Sequence, residues 1–380
     1  MFEFKFTEEQ RMLREMVKDF TNNEIKPIAA KIDAEENIPE DLIKKIGELG
    51  LLGVAFPEEY GGGGFGEVGY CISQEEISRG CLSTAAMIGA HQSIGANSIY
   101  LGGTEEQKKK YLEPLAAGEK IAAYCLTEAQ AGSDAFNLKT KAVLDGDEWV
   151  INGEKLWITN GGIADTLSVY ARTHQGISAF IVDADTPGFS AGPPEKKMGI
   201  KGSVTNALTF ENVRIPKENL LGRDGRGFLL AMKTLDAGRL GLGACCVGAA
   251  KEMLELSVDY ATQRKQFDQP IAKYQAVQFM IADMATMIYN MESIVYRTAV
   301  DYDLKKDISK QSAMVKLYCS ETLDKVVDRA IQIHGGMGYS KELPIERFYR
   351  DSRINRIFEG TNEIQKGIIA RDVIKKKGKM

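Results

Sequence analysis

Apolar and polar positions divide the 380 residues into three zones of different period. Up to about residue 123 the apolar residues recur at helical spacing. Thr7-Glu8-Glu9-Gln10 and Thr104-Glu105-Glu106-Gln107 each place a hydroxyl three residues ahead of a side-chain amide. That reciprocal arrangement satisfies free N–H groups at a helix start. Gly61 to Gly64 break the pattern and predict a loop between two helical blocks.

From about Ala122 to Gly222 the period becomes two. Asp145-Gly146 predicts a hairpin joining residues 141–144 to 149–151. Asn152-Gly153 predicts a second turn before 155–159, and Asn160-Gly161-Gly162 a third. Alternation continues through 167–171 and 178–182. From Gly225 the helical period returns with few breakers, through Phe228, Met232, Leu235 and Leu240, then Val277, Met280, Ile281, Met284, Met287 and Ile288. Long amphipathic helices with short connections predict a four-helix bundle whose Met stripe is adaptable core. The expected fold is α+β and multidomain: a helical domain over 1–122, a β-barrel or sandwich over 123–224, and a helical bundle over 225–380.

Composition excludes several classes. A net charge of -5 and a pI near 5.6 leave no basic stripe for nucleic acid. The basic tail Lys375-Lys376-Lys377-Gly378-Lys379 reads as solvated surface. Six cysteines, at 71, 81, 125, 245, 246 and 319, form no CxxC pair and predict buried thiols in a reducing compartment. No apolar run approaches twenty residues and no secretory core follows Met1-Phe2-Glu3, so no membrane span is expected. The expected compartment is the cytoplasm, or the mitochondrial matrix where a transit peptide has been removed.

Common catalytic motifs are missing or misplaced. Gly61, Gly63 and Gly66 fit a dinucleotide fingerprint but stand in a helical zone without a βαβ unit. His91, His174 and His334 are far apart and lack clustered ligand partners, which argues against a zinc site. No Gly-x-Ser-x-Gly elbow occurs; residues 91–95 come nearest.

The most informative stretch is residues 350–365, in which Glu359 stands between Phe358 and Gly360. A carboxyl beside apolar neighbours has its charged form disfavoured, which moves its pKa toward the range useful for removing a weakly acidic C–H proton. The same residues read equally as a helix start, with Thr361 as cap and Glu359 and Glu363 favouring the dipole. Arg-Asp-x-Arg followed by aromatic-Glu-Gly-Thr-x-Glu-Ile resembles the C-terminal signature of the acyl-CoA dehydrogenases. Four further stretches, in order, resemble motifs of that family. They are residues 124–134, residues 155–161, Arg264-Lys265-Gln266-Phe267 with Gln275, and residues 332–339. Asn137 departs from the pattern, standing where a small residue is usual.

The resemblance implies FAD as cofactor. Tyr124, Leu126, Thr127, Gly132 and Ser133 would meet the flavin, Ser133 also the thioester tail, and Trp157, Ile158 and Thr159 would pack on the isoalloxazine. Gln332, Gly335 and Gly336 would face the adenine side, with Thr361 and Glu363 also toward the cofactor. Arg264, Phe267 and Gln275 would reach the FAD of a neighbouring subunit, which implies a homotetramer built as a dimer of dimers. Asp236, Arg239 and Gly360 would contact acyl-CoA. Some relatives carry the base near Arg239 instead; here Gly238 and Leu240 flank it, so the resemblance assigns the base to Glu359.

It further implies α,β-dehydrogenation of a saturated acyl-CoA to the trans-2-enoyl-CoA, as in β-oxidation. The thioester oxygen would be held by the Glu359 N–H and a ribityl hydroxyl, and an electron-transfer flavoprotein would accept the electrons. An oxygen-reactive acyl-CoA oxidase on the same fold and a non-catalytic acyl-CoA or flavin-binding scaffold are the alternatives. Residues 90–98 are expected to floor the acyl pocket, deepened by small Ala96 and Ser98 and closed by Tyr100 or His91; plain helix packing is the equal alternative.

Overall fold

A computed structural model describes residues 5–378, so Met1-Phe2-Glu3 and Lys379 lie outside the described residues. Helices come first, then a sheet, then long helices. Both threonine boxes form: the Thr7 and Thr104 hydroxyls accept from the Gln10 and Gln107 N–H groups, and the glutamine side chains return the bond.

The sheet comprises β1 (Ala122–Cys125), β2 (Lys141–Asp145), β3 (Glu148–Thr159), β4 (Thr166–Thr173), β5 (Gly176–Asp183), β6 (Phe189–Pro194), β7 (Thr205–Pro216) and β8 (Leu220–Leu221), ordered β6-β7-β3-β2-β4-β5-β8 with β1 beside β4. Neighbours are antiparallel except β1 and β2 against β4. Asp145-Gly146 lies in the β2–β3 connection as expected. Asn152-Gly153 does not make a turn. It lies inside the continuous strand β3, where the register against β7 shifts between Ile151 and Gly153. Gly153 has φ 147°, and a Cβ there would lie 2.7 Å from the Thr140 Cα. The turn dipeptide therefore serves as a bulge that bends the strand toward Thr140.

The C-terminal zone is organised on one long helix, Gly227–Gln263, buried along most of its length. It packs on Gly66–Gly80, Gln275–Asp303 and Ser309–His334. Asp236 and Arg239 are interior to this helix rather than at its opening, because the chain turns helical at Gly227 as soon as the glycine-rich connection after β8 ends. Glycine inside a helix costs about 1 kcal/mol relative to alanine, and close approach explains Gly248: a Cβ there would lie 1.9 Å from the Glu75 carbonyl oxygen. No described helix is long and apolar enough to cross a membrane.

Gly61, Gly63 and Gly66 precede the Gly66–Gly80 helix, yet the Glu67 and Val68 N–H groups are taken by the Asp303 carboxylate, at 2.7 and 3.1 Å. That anion occupies the place a phosphate would need. All six cysteines are buried and unpaired.

If the contact between the Gly227–Gln263 and Gly66–Gly80 helices is as close as Gly248 indicates, Gly248→Ala loses about 1–3 kcal/mol of stability by overpacking. Chemical denaturation measures this, and an unchanged midpoint would refute the close contact.

Candidate active site

Glu359 is held by its backbone and withdrawn from water by its side chain. Its φ is 54° and that of Gly360 is 89°. For a glutamate this left-handed conformation is uncommon and requires support from outside the residue. The support is explicit. Gln365 Nε2 donates to the Glu359 and Gly360 carbonyls at 3.2 and 2.9 Å, and Arg239 Nε donates to the Glu359 carbonyl at 3.4 Å. Thr361 caps the following helix, Asn362–Lys375, accepting from the Ile364 N–H, so the expected cap forms two residues after Glu359.

The Glu359 side chain turns toward Gly238, where an added Cβ would lie 2.7 Å from Glu359 Oε2. That oxygen is shut off from solvent and has no hydrogen-bond partner. Burial raises the carboxyl to about 7, against the opposing pull of Arg239 and Lys316.

Neighbouring charges are anchored in turn. Arg239 NH1 pairs with Asp236 Oδ1 at 3.0 Å, and Asp236 accepts from Ser309 and Ser312 at 2.7 and 3.0 Å. Lys316 Nζ donates to Asn362 Oδ1 at 2.8 Å, and burial lowers its ammonium to about 8, with Glu359 opposing that shift.

A second group surrounds the segment after β1. Tyr124 donates to the Ala231 carbonyl at 3.3 Å, which ties β1 to the helix that carries Arg239. Leu126 is buried, Thr127 is partly exposed, and Gly132 and Ser133 are exposed, with open space where a Gly132 side chain would be. Glu128 fastens this loop: it accepts from Lys155 Nζ at 2.8 Å and from the Lys139 and Thr140 N–H groups. Burial opposes ionisation there, but Lys155 prevails and holds the carboxyl at about 2. The Lys155 residue thereby locks the loop to β3. Two positions on, Trp157 has φ 59° and is 55% exposed at a register shift, while Ile158 is buried and Thr159 half-buried.

The remaining residues gather at the far end of the bundle. Arg264 follows the long helix, and β9 (Lys265–Gln266) and β10 (Gln269–Pro270) form a hairpin with Phe267 and Asp268, both at positive φ, at its tip. Phe267 is 90% exposed, Arg264 makes no ion pair among the described residues, and Gln275 begins the next helix in the open. Gln332, Gly335 and Gly336 are exposed at the end of Ser309–His334, where His334 stacks on Tyr260 at 4.5 Å. Arg239 and Arg264 belong to one straight run of helix and its cap. Their separation in sequence corresponds to about 37 Å of helix axis at the usual rise. Glu359, Gly360, Asp236 and Arg239 therefore converge, whereas Arg264, Phe267 and Gln275 stand far from them in the same chain. Glu363 is exposed in the first turn after the Thr361 cap.

The expected pocket floor holds for the segment and for Tyr100, but not for His91, Ala96 and Ser98. His91 is fully buried, its Nδ1 accepting from the Ala122 N–H at 2.9 Å and its Nε2 3.1 Å from the Leu115 carbonyl, so it is a core residue. Ser98 is tied to the Ile94 carbonyl and Tyr170, and Ala96 packs in the core. Residues one helical face away, Gln92, Ser93, Asn97 and Tyr100, line a cavity instead. Sequence reading also missed Gln365, Lys316, Asn362 and Lys155. Gln365, Asn362 and Lys155 fall inside recognisable motifs and Lys316 does not; Lys316, Asn362 and Lys155 act through contacts distant in sequence.

An exposed indole forced to a left-handed φ, an open glycine-serine loop beside it and a desolvated carboxyl suit a planar, electron-accepting ring above an acidic C–H bond. The fold and site thus define a flavin-dependent dehydrogenase. The chain belongs to the acyl-CoA dehydrogenase family: the family's N-terminal, middle and C-terminal domain models match residues 7–119, 123–213 and 225–374. It is 44% identical to a short-chain specific acyl-CoA dehydrogenase of Clostridium acetobutylicum, over 98% of this chain and 100% of that protein. Butyryl-CoA dehydrogenase from Megasphaera elsdenii superposes with a TM-score of 0.96 at 38% identity, covering 98% of this chain and 100% of that one. An acyl-CoA dehydrogenase complexed with FAD from Bacillus anthracis gives 0.93 at 45% identity, covering 98% and 68%. FAD is the cofactor of this family, and the donor set here fits it.

A carboxyl removes a proton only when ionised, so with Glu359 as base flavin reduction should rise with pH through about 7. Lys316→Met removes a cation that favours the carboxylate and should move the midpoint of kcat/KM against pH upward. A midpoint that stays in place or falls would show that Lys316 does not tune Glu359.

Proposed function

We propose that the protein removes hydrogen from Cα and Cβ of a saturated acyl-CoA thioester, with Glu359 taking the α-proton and a trans-2-enoyl-CoA as product. The observation that carries this reading is the buried, unpartnered Glu359 Oε2 with its carboxyl raised to about 7. FAD, when bound, supplies the hydride acceptor for the β-hydrogen at its N5. Tyr124, Leu126, Thr127, Gly132, Ser133, Trp157, Ile158 and Thr159 would hold it on the substrate side, with Thr361 and Glu363 nearby. Gln332, Gly335 and Gly336 would hold its adenine end.

A thioester α-proton is a weak acid, so the developing enolate oxygen requires donors. Each well-aimed donor contributes about 3–4 kcal/mol. The Glu359 N–H forms no hydrogen bond among the described residues and is free for that oxygen. Arg239 and Asp236, together with Gly360 and Ser133, would orient the thioester. The closed surroundings exclude water, which keeps Glu359 basic enough and protects the reduced cofactor.

The substrate we infer is a short acyl group. The cavity beyond the base is only about 50 Å³, and the short-chain and butyryl-CoA relatives support this size. An electron-transfer flavoprotein is proposed as acceptor. A homotetramer arranged as a dimer of dimers is proposed as well, because the exposed Arg264 and Phe267 are too distant from Glu359 to serve the same flavin.

Glu359→Gln should keep FAD and thioester binding and slow anaerobic flavin bleaching by butanoyl-CoA about a thousandfold, as for loss of a general base. Near-normal bleaching would remove Glu359 from the role. Arg264→Ala should weaken FAD retention about tenfold in equilibrium dialysis with the oligomer intact. Unchanged retention would argue against the shared site.

A further inference from the structure

The cavity beyond Glu359 is small, with polar and apolar groups on its wall. It borders Ala237, the neighbour of the Gly238 whose Cβ would touch the Glu359 carboxylate, so it continues from the reacting carbons toward the acyl tail. Glu67, Tyr70, Gln92, Ser93, Asn97 and Tyr302 contribute to its wall. Gln92 and Ser93 lie on a π-helical segment, Ala90–Ala96, a distortion that re-aims side chains and frequents functional sites.

Two groups on this wall are buried without partners. Glu67 is 4% exposed and its Oε1 has no hydrogen bond; Gln92 is 1% exposed and its Nε2 has none, although its Oε1 accepts from the Ala55 N–H. Tyr70 accepts from Gln74 and Ser93 donates to the Gly89 carbonyl. Leaving a buried donor and a buried acceptor unmade on one cavity is costly.

Resting on the acyl-CoA dehydrogenase reading above, we propose that the preferred acyl tail ends in a hydroxyl, which accepts from Gln92 and bonds to Glu67 in this cavity. An alkyl end would leave both groups unpaired. Asp303 and Lys305 stand on the same wall, so an ammonium or a carboxylate end would meet a like charge as well as an opposite one, whereas a hydroxyl meets neither penalty. Burial first and then Asp303 raise the Glu67 carboxyl well above its usual range, so it meets a neutral partner as a neutral group. A hydroxyl serves as donor or acceptor as required.

Isosteric substrate pairs test this by anaerobic flavin reduction: 4-hydroxybutanoyl-CoA against pentanoyl-CoA, and 5-hydroxypentanoyl-CoA against hexanoyl-CoA, with 4-aminobutanoyl-CoA as the cationic member. The hydroxy member of at least one pair should have the higher kcat/KM by about tenfold or more. Glu67→Leu should invert that preference, and Glu67→Gln should keep it within about threefold. Preference for the alkyl member in both pairs, preference for the amine, or an unchanged preference in Glu67→Leu would overturn the assignment, and the orphaned groups would then be held by water. Reduction by alkyl substrates alone would leave the dehydrogenase reading standing. Failure of every acyl-CoA to reduce the flavin would sink both.

Discussion

Burying the Glu359 carboxyl without a hydrogen bond costs free energy that the surrounding fold must offset. Several features of the C-terminal zone follow from that cost. Gly238 gives the carboxylate room, and the next residue, Arg239, supplies both a charge and a hydrogen bond to the Glu359 backbone. Lys316 adds a second cation from a separate helix, where its own burial keeps it only modestly basic. The result is a carboxyl near neutrality, poised between the two cations and the apolar wall.

The flavin side solves a related problem with the opposite balance. Glu128 is also buried, but it accepts from Lys155 and from two backbone N–H groups, so it stays charged and serves as a fastener. Two buried glutamates with different partners thus differ in charge state, Glu359 near neutrality and Glu128 ionised. Trp157, Phe267 and Glu359 are among the non-glycine residues at positive φ. Such strain persists only where surrounding contacts over-determine it, and Gln365 together with Arg239 provides that at Glu359.

Local rules carried much of the fold, and their failures have definite causes. The threonine boxes, the Asp145-Gly146 hairpin and the return of helical period after Gly225 depend on neighbours in sequence, so they could be read directly. Asn152-Gly153 misled because a turn and a bulge use the same residue types. Only pairing with β7 decides between them. Glu359 was legible from its apolar flanks and the family signature, but Gln365, Lys316 and Glu67 were not, since each acquires its role from a partner on another element. His91 looked available for the pocket floor and proved committed to the core through the Ala122 N–H and the Leu115 carbonyl.

The long helix Gly227–Gln263 explains why the site's residues separate into two sets. A straight helix cannot fold back on itself, so Arg239 and Arg264 are fixed about 37 Å apart however the loops are arranged. An arginine left without an ion pair beside a 90% exposed phenylalanine is poorly placed for a monomer, because the apolar ring remains in water and the charge has no counterion. Both become favourable if a second copy brings an anionic cofactor and an apolar surface to that hairpin. On the proposed assembly, the distance that keeps Arg264 from the Glu359 site within one chain is what a second copy would bridge.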